Sequence, residues 1–409
     1  MKKLLLLLLF FPMTMYAQKG IQFVHGMLWK DVVAKARSER KYIFVDAFAT
    51  WCGPCQYMAA NVFTADKVGD VFNSQFINVK MQMDTSGKDN EDVKKLYEDA
   101  HYMSKKYSVL VYPTFLFFNS DGKLVHRFAG SMEAAEFALK GKSLADESNQ
   151  YYPMLDKYKA GGKVPEFLKK LAYAADDAYD QQNAKLIGKD YLATQNDFLT
   201  DANLQFIFRF TQSSQDAGFS VLLNQEAKIN KIKGDRSATE KLVEIISQEE
   251  LYPYFKRQIS TGPDWKTINT YIAKKYPGLA DEVIASGKVS YYQSKADWNN
   301  FQNTIQQYMI RYGEIVSPSV LNSYAWTVFE NCTDPACLKA ALDWSKRSFA
   351  ENADPAFIDT YANLLYKMGR KEEALEWEQK AMKVVPEEQH GDYKTAIEKM
   401  KKNEKTWNQ

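Results

Sequence analysis

The sequence predicts an α/β domain followed by an all-α helical array. Two observations carry this. Up to about residue 145, apolar strand-like runs alternate with helical stretches. Beyond about 146 the strand-like runs vanish, and helical patterns of about 12 to 18 residues alternate with Gly/Pro punctuation. The chain has 409 residues, enough for two or three domains, and at this length a single core gives way to several.

Composition narrows the class. Lys plus Arg number 53 and Asp plus Glu 51, a net charge of +2. That balance supplies no basic field for nucleic acid. Hydrophobic content of 45% and charged content of 25% exclude disorder throughout. Four Cys are too few for a disulfide-built scaffold. The 25 Tyr and 24 Phe need a place to go. Helix-hairpin packing can absorb them; a peptide-binding groove is the sharper alternative.

At the N-terminus, Lys2 and Lys3 precede an unbroken apolar run over residues 4–11. Pro12 then leads to Met15-Tyr16-Ala17-Gln18. This is the layout of a secretory signal peptide, residues 1–17, cut near Ala17. The 14 residues from 4 to 17 fall short of the about 20 that a spanning helix needs. Without Lys2 and Lys3, 51 basic residues face 51 acidic ones. An exported protein is expected, in the periplasm of a Gram-negative bacterium, with no membrane span after cleavage. Disulfides are permitted there.

The first domain is expected over 18–145. Its strands are 42–48, 76–81 and 114–118. Asn119-Ser120-Asp121-Gly122 turns the chain, and 123–128 pairs back as a hairpin arm. Helices are expected at 29–38, 55–72 and 90–106. Two further regions follow, an all-helical one at 146–285 and a second at 286–409. The boundary near 285 rests on the weak helical pattern of residues 278–287, bracketed by Gly278 and Gly287.

Trp51-Cys52-Gly53-Pro54-Cys55 follows the first strand and opens a helix. Two Cys three positions apart at a helix start can close a small disulfide. The helix N-terminus offers partial positive charge and free N–H groups. These stabilise a thiolate, which is the nucleophile. Cys52 sits where that field is strongest. Pro54 removes an N–H that had no helical partner, and Gly53 allows a tight entry. A zinc site shared with Cys332 and Cys337 is disfavoured, because the second pair has the wrong spacing and no His follows at ligand distance. No metal is expected.

Residues 40–130 resemble the thioredoxin family, whose hallmark is WCGPC between a strand and a helix. The likeness goes beyond the motif and covers about a quarter of the chain. Asp46, six residues before Cys52, matches the buried acid that handles protons for the second Cys. Lys80 matches the lysine that neighbours this acid. Ser104-Lys105-Lys106-Tyr107 and Tyr112-Pro113-Thr114 match the approach to the family's cis-proline. Gly122 and Gly130 match the hairpin turn and the glycine after it. The resemblance therefore implies a thioredoxin fold, catalytic roles for Cys52, Cys55, Asp46 and Lys80, and a substrate groove of Trp51, Gly53, Pro54, Tyr112, Pro113 and Thr114. No cofactor is implied beyond the Cys52–Cys55 redox disulfide. Three departures stand out. Gln56 replaces a usual Lys, Tyr112 replaces a small or aliphatic residue, and 85–103 forms an insertion with an extra helix. The insertion, together with Val62-Phe63 and the segment 72–77, looks closer to the periplasmic thioredoxin-like domains of electron-relay proteins than to cytosolic thioredoxin.

Toward the C-terminus, Ala362, Gly369, Ala374, Ala381 and Pro386 fall at offsets of 7, 5, 7 and 5. Small residues so placed let two helices of a hairpin pack closely. This resembles one tetratricopeptide repeat, although Glu378 sits where an aromatic is usual. Ala341-Leu342-Asp343-Trp344 and Ala374-Leu375-Glu376-Trp377, 33 residues apart, suggest a second copy. A tetratricopeptide-like fold is expected over 318–390. Cys332 and Cys337 flank a turn between helices, where a structural disulfide is expected, giving about 2 kcal/mol; an auxiliary redox pair that trades electrons with Cys52 and Cys55 is the sharper alternative.

The function expected is an exported thiol–disulfide oxidoreductase acting on protein thiols and disulfides, with reduction favoured and a membrane electron-relay protein as reductant. The alternatives are a binding protein whose helical array recognises a partner, with the first domain as redox tether or sensor, and a disulfide isomerase. His25, His101, His126 and His390 form no nucleophile or metal constellation.

Overall fold

The computed structural model describes residues 20–255, 262–386 and 389–407. The expected signal peptide lies outside the described residues. The chain divides into two compact units, one up to Asn196 and one from Asp197.

The first unit is built on a five-stranded sheet of order β1-β3-β2-β4-β5. The strands are β1 (Phe23–Val24), β2 (Tyr42–Phe48), β3 (Phe76–Gln82), β4 (Thr114–Phe118) and β5 (Leu124–Ala129). β3 runs parallel to β1 and β2; β4 runs antiparallel to β2 and β5. Only the two-residue β1 lacks a counterpart in the sequence reading, being too short to show a period.

β2 is the middle strand, and its alternation sorts two cores. Ile43, Val45 and Ala47 join Val79, Leu116 and Phe118 on one face. α1 (Trp29–Glu39) and α5 (Tyr97–Lys106) cover them with Val32, Ala36, Ala100 and Met103. Phe44 joins Phe115, Phe117 and Phe128 on the other face. There α3 (Asp66–Gln75) and α6 (Ala134–Ser143) bring Phe72 and Phe137, stacked at 4.7 Å. Much of the Phe excess goes here rather than into helix hairpins.

Two expected helices are broken. The stretch 55–72 becomes α2 (Gly53–Tyr57), a π-turn (Met58–Val62) and, after a break, α3. Ala65 is extended, and the N-terminal segment fills the gap: Ile21 N–H donates to the Phe63 carbonyl at 2.7 Å. The stretch 90–106 becomes α4 (Glu91–Lys95) and α5, separated at Leu96, which turns into the core. The hairpin turn forms as expected. Asn119 Oδ1 accepts from the N–H groups of Asp121 and Lys123, and Gly122 adopts φ +78°, a conformation that favours glycine.

Three more helices belong to this unit: α7 (Tyr151–Lys159), α8 (Pro165–Asp177) and α9 (Gln181–Ala193). They follow the expected boundary at 145/146 and lie in the same compact unit as the sheet. His126 on β5 is the tie. Its Nδ1 accepts from the Tyr151 N–H at 3.0 Å, satisfying one of the orphan donors at the start of α7. Gln150 adds a bond to the Leu144 carbonyl.

The second unit is helical throughout its described residues. It comprises α10 (Asp201–Phe210), α11 (Ala217–Lys233), α12 (Ser237–Ile246), α13 (Tyr252–Phe255), α14 (Trp265–Lys275), α15 (Ala280–Ser294), α16 (Trp298–Tyr312), α17 (Pro318–Asn331), α18 (Pro335–Ser348), α19 (Pro355–Lys367), α20 (Lys371–Val384) and α21 (His390–Lys401). A boundary at 285/286 would cut α15. Gly287 is no weak point: a Cβ there would strike the Leu251 side chain, so the glycine permits close helix packing. Pro318, Pro335 and Pro355 open helices rather than end them, because a first-turn N–H is unpaired anyway.

The disulfide expected between Cys332 and Cys337 is not made. Cys332 caps the end of α17 and Cys337 lies in the first turn of α18, and both are buried free thiols.

Burial holds His126 neutral, with its pKa lowered to about 3. An unfolded His binds a proton below about 6.5, whereas the folded one does not until about 3. Stability should therefore fall as pH drops through this window. We expect the melting temperature of the wild type to decline more between pH 7 and pH 4 than that of His126→Gln, measured by thermal unfolding.

Candidate active site: a dithiol at a helix mouth

β2 leaves the sheet at Phe48 and the chain turns through Ala49-Thr50-Trp51 into α2. Cys52 takes the N-cap position with extended backbone (φ −81°, ψ 108°). Its sulfur accepts from the Cys55 N–H at 3.1 Å. A disulfide joins Cys52 and Cys55, with Cα atoms 5.3 Å apart. Both are nearly covered, at 4% and 6% exposure, whereas the adjacent Trp51 is 71% exposed. Gly53 has no neighbour that a Cβ would meet. The tight entry therefore does not demand glycine; Gly53 leaves bare backbone beside Cys52.

The opposite wall is the loop before β4. The Tyr112–Pro113 peptide is cis, as the resemblance implies. Tyr112 meets Trp51 edge to face at 5.9 Å and packs on the disulfide with Phe48. Thr114 is fully buried and donates to the Val111 carbonyl at 2.7 Å. Trp51, Gly53 and Pro54 thus come from one segment and Tyr112, Pro113 and Thr114 from another, and the pairing of β2 with β4 brings the two together.

A brace escaped the sequence reading. Asp84 accepts from the Thr50 N–H at 3.0 Å and from the Thr50 hydroxyl. Gln56 donates to the Thr50 carbonyl at 3.1 Å. The signal was available in the register. β2 and β3 pair in parallel at a constant offset, Asp46 with Lys80 and Phe48 with Gln82. Continued by one step, that offset sets Thr50 beside Asp84. The Gln that departs from the family pattern at 56 holds the motif's loop.

Asp46 is 3% exposed, and its Oδ1 has no hydrogen-bond partner. Burial raises its pKa to about 7, and the Lys80 charge opposes this. The two residues are register neighbours on one sheet face, yet no ion pair joins them among the described residues. The Lys80 ammonium lies instead over the rings of Phe23, Phe48 and Phe63 at 5.2 to 5.6 Å, where ring quadrupoles favour a cation. A cavity of about 180 Å³ opens beside it, lined by His25, Phe48 and Gln82 among others. Among the described residues, no group of three or more His, Cys, Asp or Glu stands together to hold a metal ion. No helix among them is long and apolar enough to cross a membrane.

Residues 29–144 match the family described as a thioredoxin-like domain. The curated relatives include the chloroplastic thioredoxin Y of Oryza sativa subsp. japonica, 33% identical over 23% of this chain and 45% of that protein. They also include the thiol:disulfide interchange protein DsbD of Colwellia psychrerythraea, 31% identical over 28% of this chain and 18% of that protein. Among solved structures, a candidate disulphide isomerase from Bacteroides thetaiotaomicron is 37% identical, with 32% of this chain and 97% of that one aligned and a TM-score of 0.26. The chain spans less than half the length of those two curated relatives. Fold, dithiol and match define the N-terminal region as a thioredoxin-like domain of the thiol–disulfide oxidoreductase class.

Two outcomes test this geometry. A folded carboxyl that titrates near 7 rather than 3.8 makes the fold less stable as pH rises between those values. Asp46→Asn should therefore gain up to about 4 kcal/mol of stability at pH 8 and little at pH 4, measured by denaturant unfolding. Asp84→Ala should leave the global melt within about 1 kcal/mol and raise amide hydrogen exchange at Thr50 and Trp51.

Proposed function

We propose that this chain is an exported thiol–disulfide oxidoreductase that reduces disulfides of envelope proteins through Cys52 and Cys55. The observation that carries the reading is Cys52 at the cap of α2, its sulfur in the field of the helix N-terminus, between an exposed Trp51 and the cis Tyr112–Pro113 wall. The reduced form starts the cycle. The Cys52 thiolate attacks a substrate disulfide held between Trp51 and Pro113 and forms a mixed disulfide, releasing one substrate thiolate. Asp46 accepts the Cys55 proton, and the Cys55 thiolate attacks the Cys52 sulfur. Substrate leaves with its second thiol, and the enzyme keeps the disulfide. A carboxyl poised near 7 suits proton transfer at neutral pH. Lys80, as the charge opposing Asp46's burial, sets how readily that acid ionises.

Oxidised enzyme must be re-reduced, and a membrane electron-relay protein fits that need. Similarity to proteins named for disulfide interchange supports the chemistry. The apolar run at 4–11 after Lys2 and Lys3 supports export to the periplasm of a Gram-negative bacterium. We read residues 318–390 as tetratricopeptide-like hairpins. Support comes from buried Ala362, Ala374 and Ala381 on α19 and α20, with Gly369 at φ +81° in the turn between them.

The test is disulfide reduction of insulin by the full chain with dithiothreitol as electron source. Cys52→Ser should abolish catalysis, and Cys55→Ser should trap a mixed disulfide with substrate. Catalysis surviving Cys52→Ser would overturn the reading. Direction is tested separately by the Cys52/Cys55 reduction potential. We expect about −270 mV; a value near about −120 mV would make the protein an oxidant.

A further inference from the structure

The turn between α17 and α18 places two thiols side by side. Cys332 is the last-turn cap of α17, and Cys337 is the third residue of α18. The Cys332 thiol donates to the Asp334 carbonyl at 3.9 Å, and Cys337 is the neighbour that bears most on its proton affinity. Both are buried, at 1% and 0% exposure, but the four residues between them, Thr333, Asp334, Pro335 and Ala336, are all exposed. An exposed turn therefore joins the two buried sulfurs. Local opening of a surface turn takes less free energy than global unfolding.

The surroundings treat the two sulfurs differently. Asp334 caps α18 by accepting from the Cys337 N–H at 2.9 Å. Lys367, whose ammonium donates to the Phe329 carbonyl, lends its positive charge to Cys332. The Cys337 thiol and the Lys367 charge lower the pKa of Cys332, against burial and the Asp334 carboxylate. The Cys332 neighbour and burial raise that of Cys337.

We propose that Cys332 and Cys337 form a second reversible dithiol, which a low-molecular-weight disulfide converts to an intrachain disulfide. In the first step the Cys332 thiolate attacks one sulfur of the small disulfide. A mixed disulfide forms and one small thiol departs. In the second step Cys337 gives its proton to solvent and attacks the Cys332 sulfur, displacing the second small thiol. Two protein thiols are oxidised to one disulfide, and one small disulfide is reduced to two thiols. The reaction is independent of Cys52 and Cys55.

The test uses the full chain carrying Cys52→Ser and Cys55→Ser, so its outcome is separate from that of the reading above. Reduced protein is equilibrated in buffers of set ratio of oxidised to reduced glutathione, acid-quenched, alkylated under denaturing conditions and weighed. We expect both alkylation sites to vanish together, with a crosslinked Cys332–Cys337 peptide after digestion. Adding Cys337→Ser should leave a stable glutathione adduct on Cys332, while adding Cys332→Ser should leave Cys337 unmodified. The same crosslinked peptide should be found in wild-type protein, which guards against misfolding of the variants. Full alkylation of both cysteines at every ratio, or adducts without the crosslink, would overturn the proposal.

Discussion

The site depends on one constraint: β2 is buried on both faces and paired on both edges. Each large apolar side chain so buried contributes about 1.5–3 kcal/mol. β2 offers five consecutive buried positions, Ile43 to Ala47. The strand therefore cannot slide without turning its two cores inside out. Its end is fixed, and so is the start of α2, which opens at the C-terminal end of β2. Cys52 lies close to that end because only four residues separate Phe48 from Gly53. The parallel partner β3 delivers Asp84 to the same end, and the antiparallel partner β4 delivers Pro113 and Tyr112.

Charge at the site follows from the same burial. The helix mouth favours an anion at Cys52. Six residues earlier, on β2, the packed core disfavours one at Asp46. Lys80 could cancel that penalty by pairing, but the aromatic cluster of Phe23, Phe48 and Phe63 holds its ammonium instead. The Asp46 carboxyl is left with an unpartnered oxygen and a high proton affinity. A complete ion pair would lower that affinity, and the aromatic hold on Lys80 preserves it.

The helical unit solves a different problem with plainer means. α17, α18 and α19 each begin with a proline, and Asp334 and Asp354 cap two of them through side-chain bonds. Small residues then let helices close on each other. Trp377 meets Phe349 and Tyr361 at 5.6 and 5.3 Å. Glu378 is fully buried, and its pKa is raised to about 10 by burial and by the neighbouring Asp359 carboxyl.

The sequence by itself determined the parts that local pattern encodes. All four longer strands, the 119–122 turn, the dithiol at a helix start and the helical second half were legible because period, turn residues and motif spacing are short-range signals. What it left open was whatever distant segments decide. The break after Val62 depends on the N-terminal segment reaching Phe63. The Thr50–Asp84 brace depends on strand register, and the tie between His126 and α7 carries helices up to Asn196 into the first unit. The state of Cys332 and Cys337 likewise rests on how two helix ends meet. Each of these is a long-range pairing of backbone or polar groups. No local window of residues records which partner such a group will find, and only the packed tertiary structure assigns it.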